Sequence, residues 1–445
     1  MAPQPTLTRT LGLRSLVLLG LAYMTPIIVL GIFGVVAEVT AGASASAYLL
    51  ALIAMIFTAS SYGRLAAAFP VAGSAYTYVR KTIDPRVGFM VGWAILLDYL
   101  FLPMVIWLIG ASYLNAQFPA VPNAVWIIGF IAITTVLNIL GLKVADRTNF
   151  VLMLFQTLVL VLFVALSIAF VVGAHGAGGL VNAGPFTGIH ATFGNVAAGA
   201  AIAAYCFLGF DAVTTFTEET IDPKRTVPKA IMLVAALGGG IFVVVSYITQ
   251  LVHPGGTFAN SGAAAFDIAG QIGGALFSAV FLAGLIVAQF TSGLAAQASA
   301  SRLLFAMGRD KVLPRRIFAA ISGRFHTPVL GISIVGIVGL LALGLDVATS
   351  TSFINFGAFT AFTLVNISVI AHYLREKKAG RTHNVVTHVV MPAIGAIVCA
   401  YLLTQLDSNA LMLGFIWAGV GLIVLLFLTK GFRVAPPEVE AEELG

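Results

Sequence analysis

"AYMTPIIVLGIFG", residues 22–34, is apolar enough to lie in lipid, yet a proline and two glycines fall in the middle of it. Pro26 removes a backbone donor, and its ring disfavours helical geometry at Thr25. Gly31 and Gly34 add flexibility a few residues on. Irregular backbone at membrane depth is tolerated only where it is buried in protein or lines a cavity. A spanning helix that breaks at its own midpoint therefore implies a site.

The composition supports reading that stretch as a span. The 445 residues are 60% hydrophobic and 9% charged. A soluble domain carries roughly 25% charged residues to meet water. Most of this surface must face lipid instead, which leaves no room for a sizeable soluble domain. Each span needs about 20 apolar residues to cross a core ~30 Å thick. Windowed hydropathy gives about twelve such segments. They lie near 16–40, 44–67, 87–115, 124–142, 149–173, 194–220, 229–252, 268–301, 329–346, 351–373, 388–406 and 409–430. Arg9 and Arg14 before the first run suggest a signal peptide. That run is too long for an apolar h-region and leads into further spans, so it reads as the first helix.

The basic residues orient the chain. All 23 fall in the tails or in even-numbered connections, among them Arg80, Lys81 and Arg86 in the second and Lys224, Arg225 and Lys229 in the sixth. The positive-inside rule predicts that both termini and all even connections are cytoplasmic. A net charge of +6 needs no nucleic-acid partner on this view, because topology accounts for it. Cys206 and Cys399 sit alone in apolar runs, and the seven histidines form no i, i+4 pair. No metal site or cofactor is expected.

Acids inside spans are functional candidates, since a charge at the bilayer centre costs ~2.5–3.5 kcal/mol on insertion scales. Asp98, in "GWAILLDYLFLP", lies about 11 residues into the third span, hence ~17 Å deep. Asp211 lies in "AYCFLGFDAVTTFTEET" of the sixth span, beside a second weak point at Gly209. Glu218 and Glu219 follow two turns later and read as partners of the basic loops, with a gate as the functional alternative. Glu38 closes the outer end of the first span. Breaks in the first and sixth spans, five apart, are the signature of inverted repeats with a substrate site between them.

Several long stretches carry a resemblance: "MTPIIVLGIFG", "FPVAGSAYTYVRK", "VGFMVGWAILLDYLFLP", "FLGFDAVTTFTEET", "SRLLFAMGRDKVLP" and "INFGAFTAFTLVN". The chain resembles the amino acid–polyamine–organocation (APC) superfamily, and within it the bacterial putrescine-importer group. The resemblance implies an all-α integral membrane protein with about 12 transmembrane helices. Its first and second repeats would be a LeuT-type 5+5 inverted pair at 16–173 and 194–373, with broken helices 1 and 6. Two peripheral helices would follow at 388–430. It also implies an importer in the bacterial inner membrane that works by alternating access and is not an enzyme. Carried to this chain, the substrate-binding positions are Thr25, Pro26, Ile27, Gly31, Asp98, Tyr99, Tyr205, Gly209, Phe210 and Asp211. Tyr205 falls where related transporters place an aromatic gate. One departure is Gly31, where putrescine importers carry an acid; amino-acid permeases of the superfamily resemble this chain more closely there.

Nothing resembles a nucleotide-binding loop, so transport must run on a gradient or on exchange. Proton coupling through a buried carboxylate is favoured, with Asp211 as the leading candidate. Thr291 and Ser292 in "QFTSGLA" offer the weaker alternative of a sodium site. The substrate reads as a small amine such as putrescine, or as an amino acid. A nutrient sensor or channel is disfavoured, because the tails are short for a signalling appendage and a channel needs no paired breaks.

Overall fold

The computed structural model describes residues 9–70, 75–141, 146–217, 219–309 and 312–437, with backbone alone for 146–150. Glu218 lies outside the described residues. The first span begins as α1 (Leu13–Met24) and stops at Thr25, whose φ of 47° lies in the left-handed region. That region is rarely occupied by a β-branched residue, and it turns the chain where Pro26 cannot donate to the preceding turn. The chain resumes as α2 (Ile28–Gly31), is interrupted again at Ile32, and continues as α3 (Phe33–Val39). The interruption at Ile32 was not anticipated from the sequence.

The next elements are α4 (Ser44–Ala68), α5 (Ala75–Thr82), α6 (Pro85–Gln117), α7 (Asn123–Ile139), α8 (Asp146–His175) and α9 (Gly184–Thr187). Asp84 caps α6 by accepting from the Arg86 amide at 2.7 Å, and Pro85 fits the first helical turn. The sixth span starts as α10 (Phe193–Ala203), held by a capping box between Thr192 and Asn195. It then tightens into two 3₁₀ segments, Ala204–Phe207 and Phe210–Phe216, on either side of Leu208 and Gly209. Gly209 has φ 101°, so the expected weak point is a real break.

After it come α11 (Pro223–Val252), α12 (Ala264–Arg309), α13 (Arg315–Phe318), α14 (Val329–Gly339), α15 (Val347–Lys378), α16 (Met391–Thr404) and α17 (Ser408–Leu428). α12 is itself interrupted at Gly274, with φ 68°. Ten of the described helical segments are long and apolar enough to cross a membrane. Two shorter apolar helices, Asn123–Ile139 and Val329–Leu343, occupy the places expected for the fourth and ninth spans.

α4 packs along α11, and α6 along α12 and α15, so the third span is central. In its apolar window α6 is 78% buried, whereas the segments ending in α16 and α17 are 22% and 17% buried. These last two form an outer layer against α15, α4 and α6.

The breaks are paid for by neighbours. Tyr113 on α6 donates to the Leu30 carbonyl at 2.6 Å, and Asn355 on α15 donates to the Ala201 carbonyl at 2.7 Å. Buried backbone polar groups need such partners, because an unmet one costs about 1–3 kcal/mol. The start of the first broken span and the end of the sixth are also tied together. The Thr10 and Leu11 amides donate to the Glu219 carbonyl at 2.9 and 3.0 Å, and the Ile221 amide donates back to Leu11. Leu11 and Thr220 thereby form a parallel bridge.

Candidate functional site

A cavity of about 380 Å³ lies at the two breaks. The first span contributes Leu19, Ala22, Tyr23 and Thr25–Ile28; the sixth contributes Tyr205, Leu208, Gly209 and Asp211–Ala212. Asp98, Tyr99 and Ile106 come from α6, Gln289, Thr291 and Ser292 from α12, and Phe362 from α15. Gln156 and Thr157 of α8, Tyr62 of α4, Thr214 and Thr215 of the sixth span and Ser299 of α12 add further polar groups to the wall. The wall runs toward the N-terminal half of the first span. On the other half Val29, Leu30, Phe33 and Val36 are fully buried.

Most of the candidate residues meet here. Thr25, Pro26, Ile27, Asp98, Tyr99, Tyr205, Gly209 and Asp211 all line the cavity, as do Thr291 and Ser292. Three candidates do not. Gly31 is buried behind the wall, where a Cβ would sit 3.2 Å from Ile28 Cδ1 and 3.6 Å from Gln289 Nε2. Phe210 is fully buried and not among the lining residues; it packs against the wall residues Tyr62 and Phe362, with ring centroids 5.7 and 5.4 Å apart. Glu219 uses its carbonyl in the bridge to the N-terminal segment. Glu38 is exposed at the end of α3.

The chemistry of the wall is uneven. Its charged side chains are Asp98 and Asp211 alone; no Lys, Arg or His among the described residues lines it. Asp211 accepts a hydrogen bond from the Tyr62 hydroxyl at 3.2 Å. Asp98 has a buried Oδ1 without a partner. The Thr291 hydroxyl donates into its own helix, to the Val287 carbonyl at 2.9 Å. Gln289, only 2% exposed, has an unpartnered Nε2.

Gly209 is required twice over. Its φ is open to glycine at little cost, and a Cβ there would lie 2.2 Å from the Tyr23 ring. Tyr23 therefore covers the second break from the first span.

Tyr23, Tyr62 and Gln289 were missed from the sequence. A polar residue inside "LIVAQFTSG" is the one signal that could have drawn attention to Gln289. The two aromatic residues carry none, since tyrosine is ordinary at span ends. The cysteines are free and buried, Cys206 beside the Tyr48 hydroxyl and Cys399 beside Thr58. Among the described residues no cluster of His, Cys, Asp and Glu could hold a metal.

The model of the amino acid permease family matches residues 11–433. The chain is 38% identical over 436 residues to the low-affinity putrescine importer of Escherichia coli (strain K12), covering 98% of this chain and 96% of that protein. It is 26% identical over 451 residues to the branched-chain amino acid permease of Bacillus subtilis (strain 168), covering 96% and 94%. The methylthioribose transporter of the same organism is 27% identical over 455 residues, with the same coverage. Matched along nearly its whole length by a permease family and by relatives that are transporters rather than enzymes, this multi-pass membrane chain belongs to the amino acid permease family of the APC superfamily.

Proposed function

We propose that the protein is a secondary transporter of the bacterial inner membrane that imports a small amine-bearing solute, a polyamine such as putrescine or an amino acid. The observation that carries this reading is the sign of the cavity: two aspartates and no cationic side chain among its described lining. A buried ammonium group needs an anionic partner, because desolvating an unpaired charge costs several kcal/mol. Asp98 and Asp211 supply it. The 38% identity to a putrescine importer favours the same class.

In this reading the twelve apolar segments are twelve spans, with inverted repeats at 16–173 and 194–373 and peripheral helices at 388–430. The basic connections face the cytoplasm, as do both termini. The cavity, walled by the N-terminal half of the first span, is then the inward-facing state of an alternating-access cycle. Proton coupling runs through Asp211, which exchanges its bond with Tyr62 for the proton or for the passenger. Sodium at Thr291 and Ser292 is the alternative ion.

The amino-acid reading has its own support in the Ile27 amide at the first break, since Pro26 has no N–H and the Thr25 and Ile28 amides donate to the Ala22 and Thr25 carbonyls at 3.2 and 2.9 Å. Uptake into proteoliposomes by a panel of labelled amines and amino acids, with and without a pH gradient, tests the proposal. Amine uptake that rises with an inward proton gradient is expected. Absence of uptake for every amine would overturn the function, and indifference to the gradient would remove the proton.

A further inference from the structure

The acids account for one end of a passenger, and Gln289 raises the question of the other. This residue projects from α12 into the cavity wall with 2% of its surface exposed. Its Nε2 is buried and donates to no described group. An unmet buried donor costs about 1–3 kcal/mol. Its neighbour Thr291, by contrast, already spends its hydroxyl on the Val287 and Ala288 carbonyls at 2.9 and 3.2 Å. The carboxamide of Gln289 lies next to the first break, its Nε2 3.6 Å from where a Cβ on Gly31 would be. Asp98 Oδ1 is the complementary orphan, an acceptor without a donor.

We infer that Gln289 is a specificity-determining residue: its Nε2 donates to an acceptor atom on the passenger, whose ammonium sits at Asp98 and Asp211. The preferred solute then carries one ammonium and, at its other end, a carboxylate, carboxamide or hydroxyl. A second ammonium at that end could be met only by the carboxamide's Oε1, which would still leave Nε2 without the acceptor a carboxylate supplies. This rests on the cavity being the transport site, and it narrows the amine class to amines bearing an acceptor.

Sites built to hydrogen-bond a substrate group discriminate strongly against analogues that lack it, because the protein's own group is then left unpaired. Glutamate at this position would reverse the polarity, repelling a carboxylate and attracting a second ammonium. Leucine would remove the donor at similar volume and leave no polar preference.

The test is competition in proteoliposomes against a labelled amine, using putrescine, 4-aminobutyrate and 4-aminobutanamide as equal-length competitors. The parent protein should be inhibited better by the acceptor-bearing pair. Gln289→Glu should shift the putrescine to 4-aminobutyrate ratio by about tenfold or more toward putrescine. Gln289→Leu should bring the three competitors together. Thermal unfolding in detergent confirms that each variant is folded, and Gln289→Asn provides a milder change should the others fail to insert. Unchanged ratios in folded variants that still take up amine would overturn the assignment of Gln289 alone. No uptake of any amine by the parent protein would overturn the transport reading and this one with it.

Discussion

Trp93 and Trp417 exchange hydrogen bonds: each indole Nε1 donates to the other residue's carbonyl at 2.9 Å, with the rings stacked at 5.0 Å between centroids. Gly421 lets α17 approach this pair, since a Cβ there would lie 2.3 Å from the Trp93 ring. The least buried span is thus fastened to the most buried one. Trp93 stands five residues before Asp98 on α6. The clasp holds the helix that carries one of the two cavity acids.

Trp417→Phe keeps the stacked ring and removes one of the reciprocal bonds. A loss of about 1 kcal/mol is expected, from the usual net worth of a single bond. Thermal unfolding in detergent reads it, and a melting temperature equal to that of the parent would show that the clasp adds no stability.

Asp211→Asn should abolish gradient-driven uptake and leave membrane insertion intact, because the amide keeps the shape and cannot carry the proton. Tyr62→Phe, which removes the donor at 3.2 Å, should weaken the gradient dependence without abolishing uptake. A pH profile of uptake distinguishes the two, and a wild-type profile in Asp211→Asn would remove that residue from coupling.

Asp98→Asn bears on charge count. Asp98→Asn leaves one negative charge in the cavity for a diamine's two positive ones, whereas a neutral amino acid brings no net charge. Uptake of putrescine should therefore fall far more than uptake of a neutral amino acid. Equal losses for the two would make Asp98 a structural residue.

Gly31→Asp is expected to disfavour carboxylate-bearing competitors and favour diamines. Gly31 is not on the wall, so the effect is relayed: an acid there would sit against Gln289 Nε2 and occupy that donor. Ile28 Cδ1, at 3.2 Å from the added Cβ, must give slightly. Competition assays on folded protein check it, with unchanged inhibition by putrescine and by amino acids as the contrary result.

Gly209→Ala should be severe, because the new methyl lies 2.2 Å from the Tyr23 ring and the backbone is left-handed. The conformational cost alone is about 1–2 kcal/mol. Gly240→Ala is the control, with nothing within 4 Å of its added Cβ. Membrane yield and melting temperature should fall in the first and hold in the second.

The breaks were legible because their causes are local. Pro26 lacks a donor and Gly209 lacks a side chain, and each acts on its own turn. Asp98 and Asp211 were legible because charge is rare at such depth. The facing of Gly31 and Phe210 was not legible, since the second interruption at Ile32 and the 3₁₀ winding after Gly209 alter the rotation of the residues around them. Nor could sequence spacing reveal that Asn355 on α15 would satisfy a carbonyl 154 residues away. Long-range satisfaction of that kind leaves no local pattern.

The bridge between Leu11 and Thr220 has a mechanical consequence. It ties the start of the first broken span to the end of the sixth through three backbone hydrogen bonds, so tilting one end without the other must break them. A load hung on the chain just before residue 9 would pull on both breaks at once.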